Sequence, residues 1–295
     1  MKTIRGLIVA LVTATVAALV ALAVAPGSVT TSIGGQSVSV IVLSAGLSFA
    51  VNWLVFIPSA MARTEKFYDF TGSLTYLSMV GLAVFLSLPL DPRAVFAGAA
   101  VSLWAVRLGT FLFSRIQRDG EDRRFAQIKT NPMRFLAAWS IQALWCFLTA
   151  VAALAIISSK RAVEPDIFFV IGGAMWAAGF LIEVIADGQK SAFRKIPENR
   201  DRFITSGLWS WSQHPNYFGE MLLWAGIAVM ALPVLSGTAY AALISPFFVA
   251  LLLLRVSGIP LLDRHALQKW GEDPAYQDYR RRTSKVIPRP PKQPA

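Results

Sequence analysis

The chain has 295 residues, 55% of them apolar and only 15% charged, with a mean hydropathy of +0.53. A water-soluble domain carries about a quarter charged residues because its surface must face water, so these proportions exclude a soluble globular protein and require lipid around a helical bundle. The net charge is +11, and a single cysteine, Cys146 in an apolar run, excludes a disulfide framework and a Cys-rich metal site. No basic stripe accompanies a nucleic-acid recognition fold, so the basicity needs another explanation.

Apolar runs near the roughly 20 residues that cross a hydrocarbon core occur at about 7–25, 38–60, 73–90, 94–113, 135–157, 166–186, 217–235 and 238–257. They predict an all-α polytopic membrane helix bundle of seven or eight transmembrane helices, the last two joined through 232–237 as a tight hairpin. The first run follows Lys2 and Arg5 and exceeds the roughly 7–15 apolar residues of a signal peptide, so it reads as an uncleaved helix. With the N-terminus cytoplasmic, 24 Lys and Arg fall inside and three outside, Arg93, Lys160 and Arg161, with Arg107 left within a span. That asymmetry places both termini in the cytoplasm, as in a bacterial inner membrane. Most of the basicity therefore sets topology and faces anionic lipid. The Pro- and Lys-rich tail 288–295 reads as lacking fixed structure.

Ionisable groups within spans are costly and mark function by default. Arg107 is the deepest of a graded basic face continued by Arg115 and Arg118, which suits an anion entering from the cytoplasm. At the end of the sixth span Glu183, Asp187, Lys190 and Arg194 are spaced 4, 3 and 4 apart and stack on one helical face. The segment Gly207-Leu208-Trp209-Ser210-Trp211-Ser212-Gln213-His214-Pro215-Asn216-Tyr217-Phe218-Gly219-Glu220 then leads into the seventh span, with Pro215 suited to a first helical turn and Asn216 and Glu220 on one face. His214 has no second His near it in sequence except His265, so no metal is expected. The hairpin of the last two spans returns Asp263-Arg264 beside this segment. Glu183, Asp187, Asn216 and Glu220 can hydrogen-bond amide, ribose or adenine groups, while Lys190, Arg194, Arg202 and Arg115 can pair with phosphates. No G-x-G-x-x-G or Walker A motif occurs, so neither a Rossmann nor a P-loop unit holds such a nucleotide.

The block Asp187-x-x-Lys190, Phe193-Arg194, Gly207-Leu208-Trp209, His214-Pro215-Asn216-Tyr217-x-Gly219-Glu220, Asp263-Arg264 and Gly271 through Tyr276-x-x-Tyr279 to Ile287-Pro288 resembles the C-terminal half of the steroid 5-alpha-reductase family. It is most similar to the bacterial branch called domain of unknown function 1295. The likeness covers about 180–290 with specific motifs and extends more faintly through Trp104-x-x-Arg107 and Glu121-Asp122-x-Arg124. It implies N-terminal helices over 1–60 and a reductase-like domain over 61–295. It implies an NADPH-dependent reductase of lipid-like enones, in which Arg107, Arg115, Asp187, Arg194, Arg202, Asn216 and Glu220 hold NADPH, with Glu183, Lys190, His214, Tyr217, Asp263 and Arg264 beside them. The family polarises its substrate ketone with a glutamate and a tyrosine three residues before the arginine matching Arg107. This chain has Trp104 there, and the nearest substitute by spacing is Tyr68-Asp69, a phenol to donate a proton and a carboxylate to orient it.

A second reading is a membrane methyltransferase using S-adenosylmethionine, because the isoprenylcysteine carboxyl methyltransferases share the His-Pro-x-Tyr-x-Gly loop and the Tyr-x-x-Tyr tail. The ladder of Asp187, Lys190 and Arg194 favours a phosphate-bearing cofactor instead. A third reading, a non-enzymatic lipid-binding protein, predicts no nucleotide affinity.

Overall fold

The computed structural model describes residues 2–119 and 125–292, and their side chains except at 2, 3 and 113–119. Eight helices among them are long and apolar enough to cross a membrane: Ile4–Gly27, Val40–Met61, Tyr68–Leu86, Pro92–Leu112, Pro132–Ile157, Ile167–Lys195, Pro215–Val234 and Gly237–Trp270. The chain is an integral membrane protein of all-α architecture, with eight candidate spans rather than seven. Three boundaries differ most from the sequence reading, the first being that the eighth candidate span ends at Trp270 rather than 257. The third helix starts at Tyr68 rather than 73, with Asp69 in its first turn, where a carboxylate meets the positive end of the helix dipole. The sixth runs on to Lys195 instead of stopping near 186, and its last turn carries Arg194 and Lys195 against the negative end.

The chain divides into two compact units, Met1–Val170 with Ala228–Ser245, and Ile171–Ile227 with Pro246–Ala295. Residue 60, the boundary expected from sequence, falls inside the first. In that unit α1 (Lys2–Val24) is followed by a short hairpin of β1 (Thr30–Ile33) and β2 (Gln36–Ser39), in the charge-free loop. Gly34 and Gly35 make its turn at φ +59° and +80°, the left-handed values that a two-residue hairpin turn requires. Then come α2 (Val40–Met61), α3 (Tyr68–Leu86), α4 (Pro92–Asp119) and α5 (Pro132–Ile157). α5 is capped by Asn131, whose side chain accepts from the Met133 and Arg134 amides, with Pro132 in the first turn. It is buried continuously from Cys146 to Ile157 and packs against α1, α2, α3 and α4, as a helix apolar on all sides should.

Arg93 departs from its expected place in a solvated outer loop. It is fully buried at the start of α4, donating from Nη1 to the Met230 carbonyl at 2.8 Å and from Nη2 to Asp166 at 2.9 Å and the Glu164 carbonyl at 3.2 Å. The Phe169 ring lies 5.7 Å from its guanidinium. This hydrogen bond holds the Asp166 carboxyl below the usual carboxylate range. A buried charge survives only when paired and hydrogen-bonded, so Arg93 ties α4, the connection after α5 and the 228–245 segment of its own unit.

The second unit contains most of α6 (Ile167–Lys195) and α7 (Pro215–Ala231), followed by the C-terminal helices α8 (Ile244–Leu251), α9 (Ile259–Trp270) and α10 (Pro274–Arg282). A π-helical turn, Leu252–Val256, separates α8 from α9. α6 and α7 meet through glycines spaced seven apart on each. A Cβ at Gly219 would fall 2.6 Å from the Gly179 carbonyl oxygen, and one at Gly226 would fall 2.5 Å from the Gly172 carbonyl oxygen. Small residues at that repeat let two membrane helices touch backbone to backbone.

Candidate functional site

Site residues predicted from sequence fall in both units. In the first unit, Tyr68 packs against Phe125, Phe135 and Trp139, and its hydroxyl donates to the Ala138 carbonyl at 3.0 Å. Asp69 is the next residue of the same helix turn, half-buried. A second acid near this helix start, Glu65, is buried and pairs with Lys129 at 2.9 Å. Trp104 is buried on α4 with the Tyr76 ring edge-on at 5.1 Å, and Arg107 lies half-buried one turn further along. The side chain of Arg115 and the Glu121-Asp122-x-Arg124 stretch lie outside the described residues.

The second unit assembles more of the predicted set. α6 is continuous through Glu183, Asp187, Lys190 and Arg194, and exposure rises along that face from buried Glu183 to exposed Arg194. The close crossing at Gly219 sets α7 against Glu183 and brings the two predicted segments together: Asn216 Nδ2 donates to Asp187 at 3.1 Å. Glu220 follows Asn216 by one turn and is half-buried.

Between α6 and α7 the loop turns at Gly207, φ +61°, where a Cβ would strike the Gln189 amide at 2.5 Å. Gln189 Oε1 instead accepts from the Leu208 amide at 2.9 Å. Trp209 is thereby set into the unit's core, its indole donating to the Ala186 carbonyl at 3.0 Å and its face covered by the Lys190 ammonium at 4.5 Å. The Tyr279 hydroxyl donates to the Trp209 carbonyl at 2.7 Å. Burial in this aromatic setting raises the Tyr279 phenol well above its ordinary value and raises Tyr276 as well.

His214 stacks on Tyr217, with ring centroids 5.7 Å apart, and its Nε2 lies 3.3 Å from Asp263 on α9. A carboxylate only accepts, so Nε2 carries the proton. Burial pushes the imidazole down to about 4, outweighing the attraction of Asp263 that raises it. His214 is therefore neutral at physiological pH. The other oxygen of Asp263 takes the ammonium of Lys285 at 2.8 Å.

Lys285 lies just before the 288–295 tail, whose described part, 288–292, departs from the sequence reading. Residues 284–292 keep a fixed course: the Gln213 amide donates to the Ser284 carbonyl at 2.8 Å and Ser212 Oγ to the Val286 carbonyl at 2.7 Å, and within the tail itself the Arg289 amide donates to the Trp211 carbonyl at 3.0 Å and the Lys292 amide to the Arg282 carbonyl at 3.1 Å. Proline fits because the pairing leaves its missing N–H without a role.

These pieces enclose a cavity of about 170 Å³ within the second unit. Of the predicted residues, Lys190, Arg194, Arg202, His214 and Asp263 line it, and Arg264 does not; it is exposed, and its neighbour His265 lines the cavity instead. Aromatic walls from Phe203, Trp209, Trp270, Tyr276 and Tyr279 complete it, with Phe203 5.0 Å from Tyr276 and 5.8 Å from Trp270. Sequence reasoning did not place Phe203, Gln213 or Lys285; for Tyr276 and Tyr279 the i,i+3 spacing on α10 was the available signal. Among the described residues no group of three His, Cys, Asp or Glu could hold a metal ion.

The sequence family described as protein of unknown function (DUF1295) matches residues 55–283. A probable O-methyltransferase, ustE, of Ustilaginoidea virens is 27% identical over 125 residues, 42% of this chain and 42% of that protein. 3-oxo-5-alpha-steroid 4-dehydrogenase 1 of Macaca fascicularis is 34% identical over 73 residues, 25% of this chain and 27% of that protein. The chain thus matches less than half the length of either curated relative, and no solved structure matches it. The family match spans α3 to α10 entirely, taking in the cation ladder, the His214 loop and both C-terminal tyrosines. The chain belongs to the DUF1295 family.

Proposed function

We propose that this membrane enzyme is an NADPH-dependent reductase acting on the carbon–carbon double bond of a hydrophobic, steroid-like enone that enters from the bilayer, with its cofactor side facing the cytoplasm of a bacterial inner membrane. The observation that carries the reading is the convergence of Lys190, Arg194 and Arg202 on one aromatic-walled cavity. Cations of this kind pair with phosphates and flat rings stack on aromatic walls. At about 170 Å³ the cavity suits one ring system of a nucleotide, since whole-ligand pockets run to roughly 300–1,000 Å³. When bound, NADPH supplies the hydride for the double bond.

The chain's own residues have the remaining tasks. Lys190 and Arg194 hold phosphate charge, and the Asp187–Asn216 pair offers polar groups to a ribose or amide. Asp263 links the neutral His214 to Lys285 and so holds α9, the loop and the tail around the cavity. The proton that completes the reduction is assigned to Tyr68 with Asp69 beside it. Because the Tyr68 hydroxyl rests on the Ala138 carbonyl, proton delivery requires that hydrogen bond to be exchanged. Similarity to the macaque steroid dehydrogenase supports this reading.

The second reading, an S-adenosylmethionine-dependent methyltransferase, is favoured by the longer match to the probable O-methyltransferase. Its cofactor has no phosphate to pair with the cations that line the cavity. Substituting Arg194→Ala and Lys190→Ala separates the two. A charge-assisted phosphate contact contributes about 1.5–3 kcal/mol, so each variant should bind NADPH roughly 10- to 100-fold more weakly while NADH affinity moves far less. Equal losses for both nucleotides would remove the 2′-phosphate from these residues.

A further inference from the structure

Residues 274–292 carry Arg280, Arg281, Arg282, Lys285, Arg289 and Lys292 with Asp278 as the sole acid. Three arginines at the end of α10 complement the helix dipole and by themselves indicate only a solvated helix end. The fold adds a concave surface. Gln213, Gln277, Arg280, Arg281, Thr283 and Lys285 line a groove of about 490 Å³ with no carboxylate in its wall. Asp278 is taken up by Arg281 at 3.2 Å and Arg282 at 3.4 Å, and Lys285 is held by Asp263 from outside the groove. Arg280 has no carboxylate within ion-pair distance among the described residues; its guanidinium lies 5.9 Å over the Tyr276 ring. Gln213 fixes the floor by donating to the Arg280 carbonyl at 3.2 Å and the Thr283 carbonyl at 2.8 Å, so backbone rather than long side chains sets the shape.

The same pairing lays the tail along 211–213, with Ser212 and Ser284 in a parallel bridge. It leaves two large apolar side chains uncovered on the adjoining segments, Trp211 at 47% and Ile287 at 54% exposure. A soluble anion needs no such neighbours. An exposed indole beside cations is the composition that membrane interfaces select, with the ring at headgroup level and the cations against anionic lipid. We propose that this groove binds the phosphate headgroup of an anionic phospholipid, with Trp211 and Ile287 seated in the interface beside it. The groove shares only Gln213 with the aromatic-walled cavity, and the inference does not depend on the reductase reading.

The test titrates the full-length protein, in neutral detergent, with phosphatidylglycerol, with phosphatidylcholine and with inorganic phosphate. Each cation near a headgroup contributes about 1 kcal/mol, so the double variant Arg280→Gln, Arg281→Gln should bind phosphatidylglycerol roughly 30-fold more weakly. The variant Arg280→Lys, Arg281→Lys keeps the charge and should stay close to wild type. Wild-type affinity should exceed that for phosphatidylcholine by at least about tenfold and fall as ionic strength rises from about 0.05 M to about 0.5 M. Equal affinity for the two lipids, or an unchanged glutamine variant, overturns the proposal. So does inorganic phosphate displacing phosphatidylglycerol at millimolar excess, which would make the groove a site for free phosphate. Lipid selectivity and salt dependence are read on the wild-type chain, so equal affinity for the two lipids overturns the proposal even if the glutamine variant does not fold, and the lysine variant then carries the comparison.

Discussion

His214 shows how one buried ring governs the response of the C-terminal unit to acid. Its proton affinity in the fold corresponds to about 4, against an ordinary value of 6.5. The unfolded chain therefore binds the proton more readily between those values. The contribution to stability is fully present above about pH 6.5 and is lost as pH falls through 4. The loss is on the order of 3 kcal/mol. His214→Gln keeps a donor for Asp263 and should flatten the thermal stability of the unit between pH 7 and pH 4; a variant as acid-sensitive as wild type would show that another group sets the slope. Tyr68 is the second residue-scale case. If its hydroxyl serves only Ala138, Tyr68→Phe costs about 1 kcal/mol of stability and nothing in turnover. The proposed proton role predicts instead that turnover collapses while NADPH binding is kept. Sequence reading proposed His214 from the family-like loop that contains it and Tyr68 by its spacing. It could not find Lys285, because the partner that gives it meaning, Asp263, is brought close only by the return of the tail.

At the scale of elements, helical spacing carried most of the information. The 4, 3, 4 repeat of Glu183, Asp187, Lys190 and Arg194 does lie on one continuous helix, and its extension to Lys195 follows from the same spacing. The crossing of α6 and α7 was less legible, since glycines in apolar runs carry no label for a partner. The contacts of Gly179 with Gly219 supply the missing half. Because a methyl at Gly219 would meet the Gly179 carbonyl oxygen and the Glu183 backbone, Gly219→Ala forces the helices apart. Overpacking of this kind costs roughly 1–3 kcal/mol, and it would also separate Asn216 from Asp187. The expected result is a lower unfolding temperature together with weaker nucleotide binding. Unchanged stability would mean that the crossing yields without cost. The tail was misread for an element-scale reason: Pro and Lys in succession look unstructured when backbone partners from 211–213 are not in view.

For the whole molecule, composition was decisive about the solvent and blind to the site. Apolar content and run length account for the eight candidate spans. The +11 charge resolves into parts with different roles: Arg93 is a buried tie within the first unit, Lys190, Arg194 and Arg202 line a cavity, and Arg280 and Arg281 line a groove. None of these roles is visible in a net charge, because each depends on which acids the fold brings near. The central claim is that the cavity cations serve a phosphate-bearing nicotinamide cofactor. Thermal-shift titration of the detergent-purified protein with NADPH, NADH and S-adenosylmethionine tests it most directly. The account predicts stabilisation by NADPH of about 2.7 kcal/mol at a hundred-fold excess over its dissociation constant, with a smaller response to NADH and none to S-adenosylmethionine. No response to either nicotinamide nucleotide, with stabilisation by S-adenosylmethionine, would contradict it.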